Sequence, residues 1–418
     1  MRRTGRRWRR TGMVGIVILL ISVLLCGFQP GNQNIVAKAA SVTYTVKPGS
    51  TPYQKIYETS GTYNSKTRQY YMLRSYLELL EKQGGGKLVL TKGTYVITNT
   101  LNVPSKVTLL LKDGVKLIKG NDSGTRALVP SKTMFQLIAP SKAGKSAAVS
   151  GYQGEQGIKI IGEGSAVIDL DFTEGAIGIM FGHNTDVTVS GINFRNMYGG
   201  HFIELDASQD ILIENNTFQD HKASASGIKE AINLDTPDIN TGGFHAIWTS
   251  YDCTPNLEVV IQKNTFRNLE RAIGTHKYSE GRYHENIKLL NNTIENTTSD
   301  AIRIMNWKRP VLIGNSITDV NAGQGTGRAI LVSGVIHPEI SGNFFTDVPR
   351  PIQLMPWKNT DAGSEYAITY NEVSTEEINT MLGNYLRRVG EPFIRVNRTY
   401  GVYTSDTLKY YYPSEYLK

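Results

Sequence analysis

Four short segments of this 418-residue chain repeat one pattern and carry a concentration of groups able to move protons. They read Ile203-Glu204-Leu205-Asp206, Ile232-Asn233-Leu234-Asp235, Ile273-Gly274-Thr275-His276 and Ile302-Arg303-Ile304-Met305. In an extended strand the first and third residues face one way, the second and fourth the other. If the segments stack as neighbouring strands about 4.8 Å apart, Glu204, Asp206, Asp235, His276 and Arg303 share one outward patch. Two acids in one column, Asp206 and Asp235, repel when both are ionised, which raises a pKa or draws in a cation. Such a pair can supply the acid and the second carboxylate that glycosidic cleavage requires, with no cofactor and no metal. His276 and Arg303 also suit a lyase, the arginine or an Asp-bound Ca²⁺ neutralising a uronate while a base removes the adjacent proton.

The same alternation predicts two outward columns along the chain. One reads Gly178, Glu204, Asn233, Gly274, Arg303, Leu331, Gln353; the other Met180, Asp206, Asp235, His276, Met305, Ser333, Met355. Two insertions emerge beside the patch. Thr236 to Pro255 bears Phe244, His245, Trp248, Tyr251 and Asp252, and Lys277 to Glu285 bears Tyr278, Arg282, Tyr283 and His284. Long insertions on one side of a repeat protein build its binding surface. His245, Trp248, Tyr251, Lys277, Tyr283 and His284 are therefore the expected substrate-binding residues, the aromatics either stacking on sugar rings or packing the loops down. All seven histidines fall between His183 and His337.

Stepping along the chain gives the elements that must hold these residues. From isoleucine to isoleucine, with Ile330 and Ile352 added, the intervals are 29, 41, 29, 28 and 22 residues. A second signature alternates with the first: Asn216-Thr217-Phe218, Asn264-Thr265-Phe266, Asn292-Thr293-Ile294, Asn315-Ser316-Ile317 and Asn343-Phe344-Phe345. Units of about 22 residues with insertions predict the coils of a parallel β-helix. Asn tolerates the left-handed conformation of a tight corner, and its amide can bond from coil to coil.

The ends fit that architecture. Tyr70 to Lys82 predicts an amphipathic helix with Leu73, Leu77 and Leu80 on one face, broken by Gly84-Gly85-Gly86. Strands are predicted at Lys87–Leu90, Thr94–Thr98 and Val107–Leu111. Such a helix would cover the open end of the stack. Residues 139–153, rich in Ser, Ala, Gly and Lys, predict a flexible surface loop. Past Tyr366 the repeat fades into a C-terminal cap with a helix start at Ser374-Thr375-Glu376-Glu377. The fold class is all-β: one right-handed parallel β-helix over 40–365, an N-terminal capping helix within it, and a cap over 366–418.

With the helix, the triple glycine, Gly93-Thr94-Tyr95 and the later repeats, residues 65 to 360 resemble the pectin-lyase-like superfamily. That superfamily includes polygalacturonases, pectate lyases, alginate epimerases and phage depolymerases. The order carboxylate, carboxylate, histidine, arginine on successive coils is similar to the polygalacturonase arrangement. This chain departs from it in lacking a paired Asp-Asp and a Gly-His-Gly, and in having Met305 where that family has lysine. The resemblance implies the fold and a polysaccharide substrate but no one reaction; the paired carboxylates point to hydrolysis. Elimination by a lyase and binding without catalysis at a surface are the alternatives.

The first 39 residues predict a secretory signal. Six arginines in Met1 to Arg10 precede an apolar run from Met13 to Leu25, and Ala37-Lys38-Ala39 matches the A-x-A cleavage pattern. Residues 1–39 hold six Arg and Lys38 but no acid, so 38 Lys+Arg then face 37 Asp+Glu and the net charge drops from +8 to +1. The basic balance thus belongs to the leader, which removes the argument for a nucleic-acid partner. Only Cys253 remains beyond Cys26, so no internal disulfide staples the domain. The expected product is a monomer, secreted or retained at the cell surface, with no segment inserted in a membrane. N-terminal sequencing of the exported protein should begin near Ala39 or Ala40, and full-length chain recovered only from washed membranes would contradict this.

Overall fold

The computed structural model describes residues 42–321, 327–358 and 367–414; the predicted signal, 1–39, lies outside them. Hydrophobic residues at alternate positions close into a continuous interior. Ile203, Leu205, Ile232, Leu234, Ile273, Ile302 and Ile304 are all fully buried in one core that runs from Val46 to Val396. Among the described residues the strands form three sheets of 12, 11 and 10 strands. Each coil contributes one strand to each sheet, and every pairing between coils is parallel until the last strand. Like residues therefore stack on like: Phe194 on Phe218 and Phe218 on Phe266, with ring centroids 4.8 and 4.9 Å apart and planes within 13°. Those distances are the coil spacing itself.

The asparagine signature forms a buried ladder. Asn216 Nδ2 donates to Asn264 Oδ1 (3.1 Å), Asn264 to Asn292 (3.1 Å), Asn292 to Asn315 (3.0 Å) and Asn315 to Asn343 (2.9 Å). Each Oδ1 also accepts the backbone N–H of the asparagine one coil before, and each Nδ2 also donates to a backbone carbonyl, as Asn292 does to Ile261 O. The ladder continues to Asn384, whose Asn-x-hydrophobic signature returns after 41 residues. The expected left-handed conformation is displaced by one position. It belongs to the residue before each ladder amide: Asn215, Lys263, Asn291, Gly314 and Gly342, with φ from 54° to 70°. The side chain that bonds stays in the ladder, and its neighbour makes the turn.

Helix α1 (Arg68–Lys82) buries Met72, Leu73, Leu77 and Leu80 against the first coil, close to the predicted span. The three predicted early strands form as Gly86–Leu90, Gly93–Ile97 and Val107–Leu111. At the other end α2 (Thr375–Met381) starts at Ser374 with a reciprocal capping box to Glu377. The region predicted as cap contains one further coil. Tyr385–Arg387 pairs in parallel with Phe344–Thr346, and Ile394–Asn397 with Ile352–Leu354. Leu408–Tyr411 then returns antiparallel and covers the edge of that last strand. Among the described residues no helix is long and apolar enough to cross a membrane.

Replacing one rung tests the ladder. Asn292→Ala leaves a buried N–H and a buried carbonyl without partners, each worth about 1–3 kcal/mol. Urea unfolding should show a loss of roughly 2–4 kcal/mol, and an unchanged midpoint would contradict the role assigned to the amides.

Candidate functional site

The outward face of the 11-stranded sheet holds the candidate residues. Its strands here are His201–Asp206, Glu230–Asp235, Arg271–Gly274 and Ile302–Met305. Glu204 is the coil partner of Asn233, and Asp206 that of Asp235, as the spacing predicts. One coil earlier the register differs from expectation by two residues: Met180, not Gly178, lies beside Glu204, and Gly182 beside Asp206. The pattern Ile-x-hydrophobic begins at Ile177 as well as at Ile179, so sequence alone allowed both alignments.

The patch is buried rather than solvated. Asp206 is 0% and Asp235 1% exposed, because both insertions fold down over the sheet. Asp235 Oδ1 accepts the backbone N–H groups of His276 (3.1 Å) and Lys277 (2.9 Å) as the second insertion leaves its strand. Glu204 Oε1 accepts from Asn233 Nδ2 at 3.0 Å. Among the described residues neither oxygen of Asp206 meets a hydrogen-bond donor. Burial first, and then the neighbouring carboxyls, push Glu204 and Asp206 well above the usual carboxylate range. Burial raises Asp235 as well, against the opposing pull of His276, the Lys277 amide and Asn233. These acids share protons as one group.

Two histidines report where a proton sits. His201 Nδ1 lies 2.6 Å from the carbonyl of Glu230, which can only accept, so Nδ1 carries the hydrogen. Burial lowers this imidazole to about 4, leaving it neutral. Its Nε2 lone pair then faces Glu204 Oε2 at 3.5 Å, where a carboxylate would be repelled and a carboxylic acid is accommodated. His276 Nδ1 faces three oxygens: Asn233 Oδ1 (3.3 Å), Glu230 Oε2 (3.5 Å) and Asp235 Oδ2 (3.7 Å). That ring is a donor on this side.

Glu230 is central to the site and was not singled out from the sequence. Burial would raise it, but the His276 hydrogen bond and the charges of Arg271, His276 and Arg303 hold it well below the usual range. Its Oε1 is 2.7 Å from Arg271 Nη1 and 3.3 Å from Arg303 Nη2. It stands two residues before the isoleucine of its coil. The same place on successive coils holds His201, Arg271, Asp300, Arg328 and Arg350. Arg328 grips Asp300 through two bonds of 2.7 Å. This third column of ionisable residues was the available signal, but it falls just ahead of the repeat motif.

An open pocket of about 290 Å³ lies over the patch. His201, Glu204, Lys229, Asn233, Asp235, His245, His276 and Lys277 bring polar groups to it. Asp206 lies behind this lining, and Arg303, bonded through Nε to Thr275 O and through Nη2 to Glu230, lies outside it. Of the expected binding residues, His245 and Lys277 reach the pocket. Tyr251 and Tyr283 are half-buried and line no part of it. Trp248 does not face a ligand: it is 1% exposed, packed with Phe244, Met180, Ile138 and Val149, its indole N–H donating to Gln136. His284 is likewise buried. Its Nδ1 accepts the N–H of Asn256 and so ends a second corner ladder through Asn184, Ser208 and Asn256. Burial drops it to about 3, a structural imidazole. Trp307 is interior, and Trp357 packs on Tyr278 and Met305. The 139–153 loop is tied down, with Ala147 and Val149 N–H groups donating to Ile247 and Trp248 carbonyls. Among the described residues no three His, Cys, Asp or Glu are arranged to hold a metal ion.

Against known proteins, the family described as a right-handed β-helix region matches residues 146–345. Two solved structures of the Streptococcus pneumoniae surface adhesin PfbA superpose with TM-scores of 0.53 and 0.52. This chain folds as a right-handed parallel β-helix. The superpositions cover 82% and 83% of it, and 94% and 89% of those chains, at 14% and 17% identity, a likeness of fold. Plasmin and fibronectin-binding protein A of Streptococcus pneumoniae is 25% identical over 256 residues, 56% of this chain. The β-helix chain spans about a third (34%) of that protein's length.

The acid cluster sets a pH dependence. Glu204 and Asp206 hold protons in the fold that the unfolded chain has lost above about pH 4. Their contribution is present below that pH and is lost as pH rises toward their folded values. Glu230 has the opposite sign, stabilising above the ordinary carboxylate range and losing its contribution as pH falls through it. Melting temperature followed from about pH 4 to 8 should therefore fall on the alkaline side. Asp206→Asn should raise it by at least ~2 °C at pH 8 and flatten the fall. A variant that melts lower at pH 8, with an unchanged slope, would refute the shared-proton cluster.

Proposed function

We propose that this protein binds a polysaccharide outside the cell or at its surface, with the sugar held in the pocket over Glu204, Asn233 and Asp235. The pocket carries the reading. It gathers acids, amides, imidazoles and lysines in one concavity, the mixed donors and acceptors that a hydroxyl-rich ligand requires. The likeness to a surface adhesin supports the location. Cleavage of the bound glycan is a second reading, favoured by one observation. Glu204 meets a neutral imidazole in its acid form, while Asp235 receives two backbone N–H groups. Environments that separate two carboxyls in this way suit a proton donor and a base on one glycosidic bond. A lyase fits less well, since Arg303 is held by Glu230 and Thr275 rather than turned to the pocket.

Incubation with immobilised polyuronates, neutral glucans and amino-sugar polymers tests both readings. Retention on at least one polymer is expected. Glu204→Gln and Asp235→Asn should each weaken it about 10-fold, the loss of one hydrogen bond to the sugar. If reducing ends accumulate, the same substitutions should slow their release by about 10²–10⁴-fold. Unsaturated uronate absorbance would instead restore the lyase. A wild type that retains no polymer and releases no product sinks the carbohydrate reading.

A further inference from the structure

The pocket is walled at both ends along the helix axis, which bears on how much of a glycan chain can enter. On the N-terminal side Phe244 and Trp248 sit on Met180 and Gly182, the residues that precede Glu204 and Asp206 by one coil. The fit over Gly182 admits no side chain: a Cβ there would stand 2.5 Å from Trp248 Cη2 and 2.8 Å from Phe244 Cζ. Ile138 and Val149 back the cluster, and the pairing of Val149 with Thr249 locks two loops into one ridge. His183 fastens it from below, bonded to Gly151 O and Thr249 Oγ1 at 2.7 Å each. Beyond the ridge, on the same face, lies a separate cavity of about 320 Å³ bordered by Arg74, Asn102 and Gln136. The ridge therefore divides the face.

The C-terminal side is closed by a second cluster. Met305, in the outward column of Asp206 and Asp235, is fully buried under Tyr278 and Trp357. Ser333, one coil further, is sealed by its 2.6 Å bond to Thr369. Between the walls the lining includes a glycine corner. There Gly175, Gly199 and Gly200 form the corner before the strands and present no side chains. Adding one at Gly200 would collide with the carbonyl of Ala176.

From these walls we infer that the pocket takes the terminal sugar of a glycan chain, not an internal stretch. The rest of the chain leaves over the glycine corner. The inference rests on the carbohydrate reading above and narrows it to chain ends. An axial groove would let a polymer lie across many coils; this face offers a pit between two ridges.

Linear oligosaccharides of two to eight sugars, uronate and neutral, provide the test. Each is attached to a glass array through its reducing end, through its non-reducing end, or at internal residues with both ends capped. Wild-type protein should bind a sequence in one end-attached orientation and lose at least about 10-fold in the reverse orientation and on the capped chains, one hydrogen-bonded sugar's worth. Phe244→Ala and Trp248→Ala should recover binding to capped chains, with melting curves confirming that each variant is folded. Equal wild-type binding in all three attachments overturns the chain-end inference and leaves the carbohydrate reading standing. No wild-type binding to any oligosaccharide overturns both.

Discussion

In-register stacking of parallel coils about 4.8 Å apart is the constraint from which the rest of this structure follows. Every residue has a counterpart directly above and below it, so a group acceptable at one coil must be acceptable beside its neighbour. Phenylalanines meet this by stacking, asparagines by passing an amide hydrogen bond along the column. These columns fix the register, since a slip by one residue would send the interior isoleucines and leucines outward and break the amide ladder at once.

The same constraint forces the acids together. Asp206 and Asp235 are coil partners, and Glu204 stands diagonally to Asp235. With loops folded over them, Asp206 is closed off from bulk solvent and meets no hydrogen-bond donor among the described residues. A proton relieves the repulsion between the acids, and the neutral His201 accommodates one on Glu204. In the same sheet, three residues ahead of Glu204's coil partner Asn233, Glu230 faces the opposite environment and stays ionised between Arg271, Arg303 and His276. Buried charges of this kind do not add to stability by themselves. Their arrangement, protonated acids beside a pinned anion, gives the pocket its chemical character.

The insertions have two tasks that pull on the same residues. They must cover an apolar part of the outward face, and they must leave an opening over the polar part. Phe244 and Trp248 do the first from one side, Tyr278 and Trp357 from the other. His245 and Lys277, adjacent in sequence to Phe244 and Tyr278, do the second. Alternation within a loop thus sorts neighbours into wall and lining, as it sorts them into core and face within a strand.

By itself the sequence determined the coil. Repeated Asn-x-hydrophobic and Ile-x-hydrophobic segments at matched intervals allow only one in-register stack, so the parallel sheets, the helix at Arg68–Lys82 and the neighbourhood of Glu204, Asp206 and Asp235 were legible from spacing. The resemblance to the pectin-lyase-like superfamily rested on those repeats together with the helix, the triple glycine and Gly93-Thr94-Tyr95. Tertiary structure alone decided what the insertions do, because loop segments obey no period. It set Trp248 and His284 inside rather than against a ligand, and it buried acids that the strand pattern could only place on the outward face. It also aligned Met180 with Glu204, chose Glu230 as the ionised centre and bound Arg303 to it. Those outcomes depend on which groups are brought within a few ångströms and stripped of water, and a one-dimensional pattern carries neither quantity.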